Sequence, residues 1–195
     1  IGEEVSVFVI CDGENYKIIG NAQDHKRIFD KDRGLNTGGM GAYSPTSVCN
    51  EIFLDKVENK IIKPTLKGML ETGHPFTGFL YVGLMIVDNE PYVIEFNVRM
   101  GDPECQTILP LLNSDLGKII HACCTKKLSP MTINWLNKKS LCIVLCSNGY
   151  PDKYNKNVKI ENLNKIKLNE NNLIFHAGTK LIDKDIFATG GRVLN

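Results

Sequence analysis

Val5-Ser6-Val7-Phe8-Val9-Ile10 is a β-branched and aromatic run that meets Asp12-Gly13 and resumes at Tyr16-Lys17-Ile18-Ile19. This pattern predicts a β-hairpin. Between residue 51 and about residue 71, Ile52, Leu54, Val57, Ile61, Ile62, Leu66, Met69 and Leu70 recur at three- and four-residue intervals, which predicts an amphipathic helix. Pro64 is expected to kink it or divide it in two, because proline lacks an amide hydrogen and crowds the preceding turn. Phe76 to Val87 and Tyr92 to Val98 are β-prone and flank the turn residues Asp88-Asn89-Glu90-Pro91, so a second hairpin follows. Pro103 can open a helix through Leu112, and Asn113-Ser114-Asp115 offers a cap for another reaching about Lys126.

Residues 140–147 read as a short buried strand and 153–172 as a weakly periodic Lys/Asn-rich stretch. Leu173-Ile174-Phe175, Ile186-Phe187-Ala188 and Arg192-Val193-Leu194 read as strand pieces. From Gln23 to Pro45 the chain turns polar, and Gly34 to Gly41 holds four glycines in eight residues. A connection this long is expected to be unstructured and functional. Helices interleaved with hairpins predict an α+β fold with a substantial antiparallel sheet. Neither an internal repeat nor a clear linker divides the sequence.

Twenty-three Lys and Arg against 22 Asp and Glu leave a net charge of +1 across 195 residues. That excludes a general polyanion binder, so neither nucleic acid nor a membrane is an expected partner. The longest apolar run falls well short of the ~20 residues a membrane helix requires, which predicts a soluble protein. Seven cysteines form no C-x-x-C pair and sit mostly in apolar runs. They are expected to be reduced, buried filler in a cytoplasmic protein.

The most informative stretch is Val93-Ile94-Glu95-Phe96-Asn97-Val98-Arg99-Met100-Gly101-Asp102-Pro103-Glu104-Cys105-Gln106. On a strand, Glu95, Asn97 and Arg99 share one face while Ile94, Phe96 and Val98 point the other way, into a core. A carboxylate and an amide oxygen so spaced can converge on a hard cation such as Mg²⁺, and the arginine can fork onto a phosphate. An ordinary amphipathic strand with a wet face is the competing reading. The following turn adds two carboxylates, Asp102 and Glu104, and such a gathering of like charge favours a metal–nucleotide site.

The glycines at 34, 38, 39 and 41 could bring backbone amides close to an anion. The loop has neither Walker nor dinucleotide-binding spacing, and a flexible linker fits its composition equally well. Asp24, His25, Lys26 and Arg27 upstream suit an amine and a phosphate together, or simply a solvated turn. Glu3 and Glu4 precede the first strand; His74, His121 and His176 read as structural.

Taken in order, these segments resemble the phosphoribosylamine–glycine ligase family of the ATP-grasp superfamily. The resemblance rests on Gly2-Glu3-Glu4-Val5-Ser6, Ala22 to Arg27, Asn36-Thr37-Gly38-Gly39-Met40-Gly41-Ala42-Tyr43-Ser44-Pro45, and Glu95 to Gln106. Further matches run from Leu109 to Leu116, His176 to Thr179 and Gly190 to Val193. It implies an ATP-grasp fold, with a mixed, largely antiparallel sheet and flanking helices. The implied reaction joins glycine to 5-phosphoribosylamine with cleavage of ATP, through glycyl phosphate.

By the same resemblance, Glu95 and Asn97 hold Mg²⁺ or Mn²⁺ on the ATP phosphates, and Glu4 binds the ribose of ATP. Arg99 and Asp102 are the implied catalytic residues, and Asp24, Lys26, Asn36, Thr37, Gly38 and Gly39 bind the substrates. Many superfamily members carry a further acidic ligand on the preceding strand, but here Phe79 to Met85 holds no acid before Asp88. Two protein ligands, phosphate oxygens and water would then complete the coordination.

The implied domains are residues 1–128, the later part of an ATP-grasp domain, and 129–195, the beginning of a C-terminal ligase domain. A chain that starts at Ile1 and ends at Asn195 is expected to be a monomeric piece of a longer enzyme, without ligase activity on its own.

Overall fold

In the computed structural model, which describes residues 2–31 and 33–195, β1 (Glu3–Asp12) and β2 (Tyr16–Asp24) form the first expected hairpin. The chain divides into two compact units, Ile1–Asp24 with Ala42–Leu141, and His25–Gly41 with Cys142–Asn195. The polar stretch after β2 is not unstructured. It folds into the short hairpin β3 (Arg27–Phe29) and β4 (Arg33–Asn36), then enters β5 (Gly41–Ser44). Its residues are mostly exposed, which is why apolar periodicity could not reveal these strands.

In the first unit, α1 (Glu51–Val57) starts at Asn50, whose side-chain oxygen accepts from the Phe53 amide at 2.9 Å. A π-helical turn, Glu58–Ile62, leads into α2 (Lys63–Glu71). Pro64 therefore does not break the helix; the wider turn just before it gives the ring room.

The second expected hairpin is β6 (Thr77–Val87) and β7 (Glu90–Asn97). β1 pairs antiparallel with β2 and β6, β2 with β5 and β6 with β7, so the strand order within the unit is β7-β6-β1-β2-β5. The helix expected from Pro103 is one turn, α3 (Cys105–Ile108), followed by a 3-10 turn. Asp115 caps α4 (Leu116–Cys124) by accepting from the Lys118 amide at 2.9 Å.

Alternation along β1 sends Val5, Val7, Val9 and Cys11 to one face, where Leu80, Val82 and Leu84 join them under Phe53, Val57, Ile61 and Ile62. Phe8 and Ile10 face the other way, packing with Tyr81, Ile108, Ile119 and Leu128. The middle of the sheet is thus a two-sided core. β7 departs from expectation: Ile94, Phe96 and Val98 are 49%, 43% and 74% exposed. The strand lies at the sheet edge, where Lys56 of α1 pairs with Glu90 at its start at 2.7 Å, and Ile94 falls where the pairing with β6 slips by one residue.

Asp12, only 1% exposed, closes the first turn. Its Oδ1 accepts from the amides of Glu14 at 3.0 Å and Asn15 at 2.6 Å, and its Oδ2 from that of Leu128 at 3.2 Å. Burial would raise its pKa, but these donors prevail and hold the carboxyl below its ordinary value. The stability it contributes is therefore present above about pH 4 and lost as pH falls through the depressed folded value. Asp12→Asn should cost ~2 kcal/mol in denaturant melts at pH 7 and less near pH 3; an equal cost at both values would refute this.

In the second unit, β8 (Ser140–Ile143), which begins in the first, and β9 (Leu145–Cys146) replace the single buried strand expected there. Cys142 and Val144 are buried, whereas Leu141, Ile143 and Leu145 are exposed, so the segment alternates. β10 (Val158–Lys159), β11 (Thr179–Ile182) and β12 (Asp185–Ala188) form a sheet in the order β10-β12-β11. β13 (Arg192–Leu194) pairs with β9. Leu173 to Phe175 is not a strand, although Phe175 and Asn195 exchange backbone hydrogen bonds of 3.0 and 2.9 Å.

Four cysteines, Cys11, Cys49, Cys123 and Cys142, are buried as expected, but Cys124 and Cys146 are exposed. Burial pushes the Cys11 thiol up to about 12, so it is inert packing material. No helix among the described residues is long and apolar enough to cross a membrane.

Candidate functional site

The strand register builds the first cluster. Glu95 pairs with Gly83, and Gly83 with Ser6; Asn97 pairs with Tyr81, and Tyr81 with Phe8. Glu95 and Asn97 therefore share the face that carries Phe8 and Tyr81, past the part covered by α3 and α4. Glu4 lies two residues before Ser6 on this same face, and alternation from Ala22, the partner of Ser6, brings Asp24 to it as well. At an interstrand spacing of about 4.8 Å, the Cα of Glu95 stands roughly 10 Å from that of Ser6.

Local packing supports this face. Ser6 Oγ donates to the Tyr81 hydroxyl at 2.7 Å, and Tyr81 meets Phe8 edge-on with ring centroids 5.1 Å apart. Gln23 Nε2 donates to the Glu4 carbonyl at 3.0 Å, while Tyr43 donates to Gln23 Oε1 at 2.6 Å. The backbone carrying Glu4 is thus braced from β2 and β5.

Gly83 has a specific task, because a Cβ there would lie 3.1 Å from both Glu95 Cγ and Tyr81 Cε1. Sequence reasoning missed it, though a glycine inside the run Tyr81-Val82-Gly83-Leu84 marks a close approach. Gly83→Ala should displace the Glu95 side chain and weaken divalent-metal binding ~3- to 10-fold in a titration; unaltered affinity would refute that packing role.

β7 ends at Asn97, so Arg99 lies in the bend beyond the strand rather than on its alternating face. Its Nη1 donates to the Met100 carbonyl at 3.0 Å, and the residue is exposed. Asp102 is exposed too, and its Oδ1 accepts from Gln106 Nε2 at 2.8 Å. Glu104 behaves differently from expectation: it is 3% exposed, and its carboxylate occupies the space a Cβ on Gly101 would need. Only one of the two turn carboxylates therefore faces out. Gln106, given no role beforehand, is a neighbour that orients Asp102.

Lys26, Asn36, Thr37, Gly38 and Gly39 belong to the second unit. The Thr37 amide and hydroxyl both donate to the Lys26 carbonyl at 2.7 Å, closing the base of the β3–β4 hairpin. The Gly38 amide donates to the Tyr150 hydroxyl at 3.1 Å, and the Gly39 amide to Thr37 Oγ1 at 3.1 Å. An open cradle of amides is therefore not what the loop presents. His176 is exposed, with Nδ1 3.0 Å from Thr179 Oγ1.

No group of three or more His, Cys, Asp or Glu side chains suited to a metal occurs among the described residues. The donor set on β7 is one carboxylate and one amide oxygen, both unpaired to other side chains among the described residues. Such a set fits a hard divalent ion that draws its remaining ligands from phosphate and water.

Residues 1–105 match the family model for the phosphoribosylglycinamide synthetase ATP-grasp (A) domain, and residues 140–195 match the model for the C domain. Phosphoribosylamine–glycine ligase of Brucella melitensis is 45% identical over 194 residues, covering 100% of this chain and 45% of that protein. The chloroplastic phosphoribosylamine–glycine ligase of Arabidopsis thaliana is 48% identical over 197 residues, covering 99% and 37%. The crystal structure of phosphoribosylamine–glycine ligase from Thermotoga maritima matches with a TM-score of 0.80 at 34% identity, covering 100% and 47%. The chain spans about half the length of these relatives, or less. Its α+β architecture is that of the ATP-grasp fold, and the chain belongs to the phosphoribosylglycinamide synthetase family.

Proposed function

We propose that this chain carries active-site residues of a phosphoribosylamine–glycine ligase, an ATP-dependent carbon–nitrogen ligase of purine biosynthesis. Glycine's carboxylate takes the γ-phosphoryl group of ATP to give glycyl phosphate. The amine of 5-phosphoribosylamine then displaces phosphate, leaving glycinamide ribonucleotide, ADP and phosphate. The observation that carries this reading is the register that puts Glu95 and Asn97 on one open face with Glu4.

Each residue then has a task. Glu95 and Asn97 would hold Mg²⁺ or Mn²⁺, which when bound offsets charge on the nucleotide phosphates. Glu4 accepts hydrogen bonds from the ribose hydroxyls. Arg99 offers guanidinium donors to the acyl phosphate, where negative charge accumulates. Asp102, oriented by Gln106, faces the substrates and can accept a hydrogen bond from the attacking amine.

Asp24, Lys26 and the Asn36–Gly39 loop bind glycine and phosphoribosylamine. Because the Gly38 and Gly39 amides are engaged, the loop contributes shape and the exposed Asn36 side chain. Residues 1–128 fall to the ATP-grasp domain and 129–195 to the C-terminal ligase domain, in a monomeric, cytoplasmic enzyme.

The test is ADP release by the ligase carrying this segment, with glycine and phosphoribosylamine supplied or withheld in turn. Dependence on both substrates is expected. Turnover with a different carboxylic acid instead would identify another ATP-grasp carboxylate–amine ligase, and ATP binding without turnover a degenerate nucleotide-binding module.

A further inference from the structure

The Gly38-Gly39 dipeptide is held at all four of its backbone polar groups by side chains. Arg192 Nη1, 154 residues along the chain from Gly38, donates to the Gly38 carbonyl at 2.7 Å and to the Gly39 carbonyl at 3.3 Å. Tyr150 takes the Gly38 amide, and Thr37 takes that of Gly39. A Cβ on Gly38 would lie 3.0 Å from the guanidinium carbon, so glycine is what lets the cation settle against the backbone. Gly39 has φ +108°, a conformation that glycine adopts without strain.

The clamp is itself braced. A Cβ on Gly191 would run into the Tyr150 ring, and Tyr154 meets that ring edge-on with centroids 6.2 Å apart. Ser147 donates from its amide to the Gly191 carbonyl at 2.7 Å and from its hydroxyl to the Gly190 carbonyl at 2.8 Å. A glycine-rich turn left to itself samples many conformations, and ordering it on binding costs affinity. Holding it beforehand removes that cost.

We propose that Arg192 and Tyr150 are positioning residues, which pre-organise the Gly38-Gly39 turn and so set the KM for the non-nucleotide substrates. This inference rests on the reading that the loop faces glycine and phosphoribosylamine. Neither residue is asked to touch the reacting atoms; both act through the backbone of the turn.

The test uses the complete ligase with Y150F, R192M and R192K, each first compared with wild type by thermal melting. Y150F should raise the KM for glycine or phosphoribosylamine about threefold and R192M about tenfold, with R192K recovering part of the loss. The KM for ATP should stay within about twofold, and kcat should change less than the substrate KM. Amide exchange at Gly38 should quicken in Y150F while the core amides keep their protection. Substrate KM values unchanged in both Y150F and R192M, or an ATP KM rising in parallel, would overturn the proposal. If R192M does not fold, Y150F decides alone. Should wild type need neither substrate for ADP release, the functional reading fails instead, and Gly38 exchange unchanged in Y150F would overturn the clamp separately.

Discussion

Glu95→Gln is expected to reduce metal-dependent turnover ~10³-fold or more while leaving the melting temperature nearly unchanged. The substitution keeps the size of the side chain but removes the one carboxylate in a two-residue donor set. Glu95 is exposed on an edge strand, and its side chain passes over Gly83. Surface changes of this kind usually alter stability by less than about 0.5 kcal/mol. ADP release measured across Mg²⁺ and Mn²⁺ titrations, with thermal melts of the same samples, separates the two effects. Undiminished turnover at saturating metal would remove Glu95 from the metal site.

The shared face of Glu95 and Asn97 was legible because period-two alternation fixes which side chains lie together, whatever surrounds the strand. Glu95 and Asn97 needed nothing more. Burial was not legible: Ile94, Phe96 and Val98 look like core in sequence, but whether a strand lies at a sheet edge depends on tertiary arrangement, which local pattern does not encode. The same limit misjudged Glu104, whose carboxylate turns inward beneath Gly101.

Arg99→Met should lower kcat ~10²- to 10³-fold with a small effect on the KM for ATP. The guanidinium sits just past β7 and presents donors that methionine lacks, whereas its contact with the fold is one hydrogen bond to its neighbour's carbonyl. Stabilising charge that develops on a transferring phosphoryl group affects the barrier more than nucleotide binding. Single-turnover kinetics with Arg99→Met and Arg99→Lys provide the check, and lysine should recover only part of the rate because it cannot fork onto phosphate. A pure KM effect would make Arg99 a binding residue instead.

The glycine-rich loop was the less readable half. Its composition allowed an anion cradle or a linker, whereas in the structure the Gly38 and Gly39 amides and the Gly38 carbonyl are all engaged by side chains. Its partners, Tyr150 and Arg192, lie more than 110 residues away in sequence, so no local window could have paired them. Gly178 and Gly190 tell the same story: they approach so closely that neither tolerates a Cβ, which explains glycine in both motifs only once the chain is folded.

Activation of glycine as an acyl phosphate, the step proposed for the ligase that carries this segment, leaves an isotopic trace in the released phosphate. The complete ligase would be supplied with ATP, 5-phosphoribosylamine and glycine labelled with ¹⁸O in its carboxylate, and the released phosphate analysed by mass spectrometry. One carboxylate oxygen should appear in each phosphate, because displacement by the amine breaks the carbon–oxygen bond and leaves that oxygen on phosphorus. Phosphate free of ¹⁸O during normal turnover would contradict the account.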